Sequence, residues 1–190
     1  MINENEYTMC VVDCETSGLR AGLHEALSLC VMPINDKFER MGQPFNVRIK
    51  ATNPVDAKAI AVNHLDPTVG FTKYEAWKKL KEWRKASMIE KIVPLGHNVT
   101  FDLPFILMLA YNPDEFRDMF HYHHRDTMAI AHLINDLRVS INQPKMFHSV
   151  SLTKVAATLG FNIKMAHSAE GDCEMTRLVY KKMMSMMVIK

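Results

Sequence analysis

A chain of 190 residues, 48% of them apolar, is the size of one ordinary domain and can bury a substantial core. Twenty-three Lys and Arg against 21 Asp and Glu leave a formal charge of +2, too small to announce a nucleic-acid binder, so a basic surface for such a partner has to be local. No apolar run reaches the roughly eighteen residues of a membrane-spanning helix, and the polar start MINENEYT lacks the layout of a signal peptide, so the expectation is one cytoplasmic domain, residues 1–190, without membrane association.

Tyr7 to Cys14 is an apolar, β-favouring run that ends in Asp-Cys-Glu and reads as a buried strand, broken by Gly18 and Gly22. Ala26 to Ile34 and Phe45 to Ile49 read as two further strands, close enough in sequence for an antiparallel meander. Cys10, Cys14 and Cys30 lie inside these apolar runs with no CxxC spacing, and are expected to pack as small hydrophobes. Fifteen methionines fall mostly in apolar or helical runs, which suits core filling.

Helical spacing begins at Pro54 to Asn63 and is strong over Lys73 to Ala86, where Trp77, Leu80 and Trp83 form one stripe and basic residues a solvated face. Ile92 to Gly96 reads as a buried strand, followed by a helix starting near Asp102 with Pro104 in its first turn. His121 to Arg125 is a candidate short strand. Its histidines have no nearby Cys or carboxylate to complete a zinc site. Asp126-Thr127 caps a helix over Met128 to Leu137, and Val139 to Ser149 is the candidate mobile loop. Two helices close the chain: Ser151 to Leu159, stopped by Gly160, and Gly171 to the C-terminus. Strands first, then alternating helices and strands, predict a mixed α/β sheet flanked by helices.

The informative residues are Asp13, Glu15, Asp102, Asp126, His167 and Asp172, with Asp126 assigned mainly to helix capping rather than to supporting a site. Residues two apart on a strand share a face, so Asp13 and Glu15 sit side by side while Cys14 points away. Two carboxylates at the end of an apolar strand repel each other and resist desolvation, a cost that a divalent cation removes. Asp102 and Asp172 each have an ordinary reading as acids in the first turn of a helix, and His167 one as a structural loop histidine. Yet three separate segments each put an acid where an element meets a loop.

Taken together, Asp13-x-Glu15-Thr16-Ser17-Gly18-Leu19, Asn98-x-x-Phe101-Asp102 and His167-x-Ala169-x-x-Asp172 resemble the three motifs of the DEDDh family of 3′→5′ exonucleases, in the right order and over nearly the whole chain. The family includes the proofreading subunits of bacterial replicative polymerases and RNase T. The resemblance implies an RNase H-like fold and release of nucleoside monophosphates from single-stranded 3′ ends. It implies two Mg²⁺ or Mn²⁺ ions held by Asp13, Glu15, Asp102 and Asp172, all-oxygen ligation that suits hard cations. His167 would be the general base toward the attacking water. Thr16, Ser17, Gly18 and Leu19 would hold the terminal nucleotide, with Leu19 wedged against its base and His64, Asn98 and Phe101 as further contacts. Asn63-His64-Leu65-Asp66 departs from the family's usual His-Gly-Ile element. DNA is the expected substrate, and a polymerase partner, where there is one, is supplied in trans. An RNA trimmer and a non-catalytic polymerase-associated module are the alternatives.

Overall fold

The computed structural model describes residues 7–161 and 168–187; the polar start, His167 and the last three residues lie outside that range. The strands are β1 (Tyr7–Thr16), β2 (Ala26–Pro33), β3 (Phe45–Arg48), β4 (Lys91–Gly96) and β5 (Arg125–Asp126). The helices are α1 (Ala57–Asn63), α2 (Lys73–Ala86), α3 (Val99–Leu107), α4 (Pro113–Met119), α5 (Thr127–Ser140), α6 (Leu152–Thr158) and α7 (Ala169–Met186). None of the described helices is long and apolar enough to cross a membrane.

The strands form one sheet in the order β3-β2-β1-β4-β5. Short connections make β1, β2 and β3 antiparallel. β4 joins β1 in parallel and β5 joins β4 in parallel, each after a helical crossover. This is the expected mixed sheet, and its central strands carry apolar side chains on both faces because helices cover both. Cys10, Val12, Leu29, Val31, Phe45 and Val47 pack against the α2 and α3 side, where Trp77 and Leu80 are fully buried. Val11, Cys30 and Met32 face α7, meeting Ala169, Cys173 and Tyr180. Each fully buried side chain of this size contributes about 1.5–3 kcal/mol, so α7 is held by packing well beyond its own helical propensity.

Several boundaries differ from expectation. The strand expected over His121 to Arg125 is reduced to Arg125–Asp126: the segment meets β4 at Ile92 through Phe120 and His121, leaves it, and pairs again only at Leu95 and Gly96. His121 instead packs its ring among those of Tyr7, Tyr122 and His123. α1 begins at Ala57 with Asp56 as its cap, later than Pro54. α3 begins at Val99, three residues before Asp102, so Pro104 sits in its second turn. α4 was not expected at all. α5 runs on to Ser140, and the supposed mobile loop after it is pinned: Phe147 is buried, and its N–H and C=O bond the Asn135 side chain at 2.9 and 2.8 Å.

Candidate active site

The site grows from a split in the sheet. β1 and β4 pair from Tyr7↔Lys91 to Val11↔Leu95 and then separate, so Val12 to Thr16 is paired on its β2 side only. Such a crevice at the carboxyl ends of strands, where the sheet changes direction, is a natural place for a ligand.

Acids enter it from both faces. Asp13 and Glu15 project toward α7, whose first turn carries Asp172, and one carboxylate oxygen of each of the three lies within 4.8 Å of the others. Asp102 comes from the α3 side. Its Oδ1 accepts the Cys14 backbone N–H at 3.1 Å and the Cys14 thiol at 3.2 Å. Cys14 is therefore more than the small hydrophobe expected: it fills the unpaired edge of β1 and orients an acid. Asp102 stands outside the close group of three, yet after burial its charge is the largest influence raising the Asp13 pKa, ahead of Asp172 and Glu15. Burial likewise pushes Asp102 up to about 7, against the bonds from Cys14 that favour its charge. Crowded, half-desolvated acids of this kind are costly as anions unless a cation joins them. Every donor is a carboxylate oxygen, the chemistry of Mg²⁺, Mn²⁺ or Ca²⁺.

The position of Asp102 depends on Asp126. Asn98, at the start of α3, adopts a left-handed conformation (φ 63°) and makes no capping bond with its own side chain. The orphan N–H groups of Asn98 and Val99 are instead donated to the two carboxylate oxygens of Asp126, each at 3.0 Å. The same carboxylate accepts from Met128 N–H at 2.8 Å and so caps α5 as well. His97, beside it, bonds Thr127 and the Val150 carbonyl through its two ring nitrogens, both at 2.8 Å.

The loop after β1 is tightly tied. The Thr16 hydroxyl donates to the Gly18 carbonyl at 2.8 Å, and the Ser17 hydroxyl accepts from Glu25 N–H at 3.0 Å. Asn63 donates its side-chain N–H to the Thr16 carbonyl at 3.1 Å, and Asp56 its backbone N–H to that of Ser17. A Cβ on Gly18 would stand 2.4 Å from the His24 ring, so only glycine allows that ring to lie over the loop. Ser17 is fully buried, and its hydroxyl holds the loop through Glu25. Leu19, by contrast, is 77% exposed. With Glu15, Thr16, Val62, Asn63 and Phe101 it lines a cleft of about 340 Å³. Asn98 and His64 do not line that cleft; His64 is the left-handed C-cap of α1. A second cleft, of about 330 Å³, lies on the β2–β3 side of Glu15.

Acids converging on the end of a central strand, from both faces of this mixed sheet, define a nuclease site of the RNase H-like class. The family model described as Exonuclease, of the RNase T type, matches residues 10–180, and the chain belongs to that family of DEDD-type 3′→5′ exonucleases. It is 26% identical to ribonuclease T of Salmonella typhimurium over 184 residues, covering 90% of this chain and 81% of that protein. To ribonuclease T of Shewanella denitrificans it is 28% identical, also over 184 residues, covering 90% of this chain and 77% of that one. Among solved structures it is similar to exonuclease I of Escherichia coli bound to single-stranded DNA and zinc (TM-score 0.79, 18% identity, 96% of this chain). It is similar also to exonuclease I of Methylocaldum szegediense (TM-score 0.77, 17% identity, 95% of this chain). The chain spans only 41% of the length of either exonuclease I.

Proposed function

We propose that this exonuclease removes nucleotides one at a time from single-stranded 3′ ends, using two divalent cations, Mg²⁺ or Mn²⁺, held by Asp13, Glu15, Asp102 and Asp172. The observation that carries the reading is the group of three carboxylates within 4.8 Å, set beside a cleft walled by Leu19 and Phe101. Bound cations would supply the charge that stabilises attacking and leaving oxygens in an in-line displacement. The side chains do the rest. Leu19 and Phe101 offer faces to the terminal base, a contact that tolerates any sequence. Cys14 fixes the Asp102 carboxylate, and Asp126 fixes the helix that carries it. His167, which lies outside the described residues, takes the proton of the attacking water in neutral form. A cytoplasmic location belongs to this reading, as does a polymerase partner supplied in trans if the task is proofreading.

DNA is the first substrate in this reading, in keeping with the exonuclease I–DNA complexes among the structural neighbours. RNA trimming is the second, favoured by the ribonuclease T relatives, which align over most of their own length. A panel of 3′- and 5′-labelled single- and double-stranded DNA and RNA, with Mg²⁺, Mn²⁺ or EDTA, tests both. Mononucleotides released from 3′ ends, faster from single strands and only with metal, are expected. Cleavage in EDTA or from the 5′ end overturns the proposal. His167→Ala should lower turnover by about 10²–10⁴-fold, the usual extent of acid–base catalysis, while Mn²⁺ binding by calorimetry stays unchanged. An equal loss of metal binding would remove His167 from the role of base.

A further inference from the structure

The second cleft contains an arginine with unused donors. Glu15, Ser28 and Arg48 are register partners across β1, β2 and β3. Partners on neighbouring strands point to the same face, and two strand spacings put the Arg48 backbone about 10 Å from that of Glu15. Arg48 thus lies two strands from Glu15, on the α7 face, and lines the cleft with Glu15, Ser28, Leu65 and Ala169. One guanidinium nitrogen donates to the Asp66 carbonyl at 3.0 Å. Its Nε is buried without a hydrogen-bond partner, the only such side-chain atom among the described residues. No carboxylate lies within 4.0 Å of the guanidinium among them. Glu170, the other acid at the cleft wall, is already engaged by Arg40 at 3.1 Å and Asn46 at 2.9 Å.

The loop that carries Asp66 is held against β3 by Gly70. At φ 143°, and with Arg48 backbone 2.6 Å from where its Cβ would stand, Gly70 tolerates no side chain. The guanidinium is therefore tied at one nitrogen to this loop, while Arg48 lines the cleft and its Nε stays unpaired. An unsatisfied buried donor on a charged group calls for an explanation, and arginine forks match phosphate oxygens with charge-assisted bonds. The cleft beside Leu19 and Phe101 offers side-chain faces to a base, and this one adds the Arg48 guanidinium on the other side of Glu15.

We propose that Arg48 binds a backbone phosphate of the substrate strand, the one next to the scissile linkage on its 5′ side. This rests on the exonuclease reading above. The probes are a single-stranded oligothymidylate, which carries that phosphate, and the p-nitrophenyl ester of thymidine 5′-monophosphate, which has a cleavable ester but nothing beyond it. Metal-dependent hydrolysis of both by the wild-type enzyme is the prior condition, and its absence is a failure of the exonuclease reading rather than of this one. Given it, Arg48→Gln should raise KM for the oligonucleotide by about ten- to a hundredfold, with kcat and ester hydrolysis unchanged. The slope of log affinity against log salt, measured with Ca²⁺ under conditions without turnover, should fall by about 0.7, the contribution of one phosphate contact on a single strand. The wild-type enzyme provides a second measurement that needs no folded variant. An oligonucleotide with a neutral methylphosphonate at that linkage should bind as weakly as the normal strand binds Arg48→Gln. Equal losses on both substrates, an unchanged salt slope, or no penalty for the methylphosphonate would overturn the assignment.

Discussion

Asp102 is where pH acts most directly. Burial holds its folded pKa near 7, and Asp13 is raised in the same direction by burial and by Asp102. An unfolded aspartate titrates near about 3.9, so between about pH 4 and pH 7 the metal-free folded protein binds more protons than the unfolded chain. Its stability must then fall as pH rises through that window. Melting the metal-free protein at pH 5 and pH 8 should show a drop of about 4 °C or more, since each kcal/mol is worth roughly 2–4 °C at this chain length. Mg²⁺ should abolish the drop by taking the place of the protons. Asp13→Ala should lose hydrolysis yet melt no lower than wild type without metal, because it relieves like-charge crowding. A melting point well below wild type would make Asp13 a structural residue. Only part of this was legible beforehand. Alternation on β1 paired Asp13 with Glu15, and the motif spacing nominated Asp102 and Asp172. The bond from Cys14 was not legible, because its partner lies 88 residues away and nothing local distinguishes a thiol that donates from one that packs.

Among the elements, α3 shows why boundaries escaped the sequence reading. Its first donors are satisfied by Asp126, 27 and 28 residues downstream, so no local cap announces a start at Val99. α4 is the opposite case. Asn112 as N-cap, Pro113 at the first position and Asp114 and Glu115 in the first turn were all in plain view, hidden only by the shortness of the helix. β5 could not be read from propensity, since a two-residue parallel strand exists only where its neighbour presents an edge. β1, β2, β3, α2 and β4 were legible within a residue or two because burial and period agree along them. The shared cap gives a prediction: Asp126→Ala removes the acceptor of two helix starts at once. At about 0.5–2 kcal/mol per cap, it should lower stability by roughly 1–4 kcal/mol in urea melts. It should also weaken Mn²⁺ binding by freeing the start of α3. Destabilisation with unaltered metal affinity would show that α3 holds its place without the cap.

At the scale of the whole molecule, the sheet divides the work. One face anchors α2 and α3 over a dense apolar layer, and the other receives α7, which docks across the centre of β1. There the Cys173 thiol donates to the Val11 carbonyl at 3.6 Å. Asp172 is thus delivered to the site by a helix that packs on β1 and β2, more than a hundred residues earlier in the chain, and on α5 and α6 nearer by. A chain ended after residue 161 should therefore show neither cleavage nor tight Mn²⁺ binding. Activity from that fragment would mean that Asp172 is dispensable.

The lateness of α7 bears on how such an enzyme is made. While a ribosome is still extending the chain, Asp13, Glu15 and Asp102 are made well before Asp172, so the acidic set stays incomplete until α7 follows. The close group of three carboxylates therefore forms only once residues 169–186 have been made and have packed onto β1.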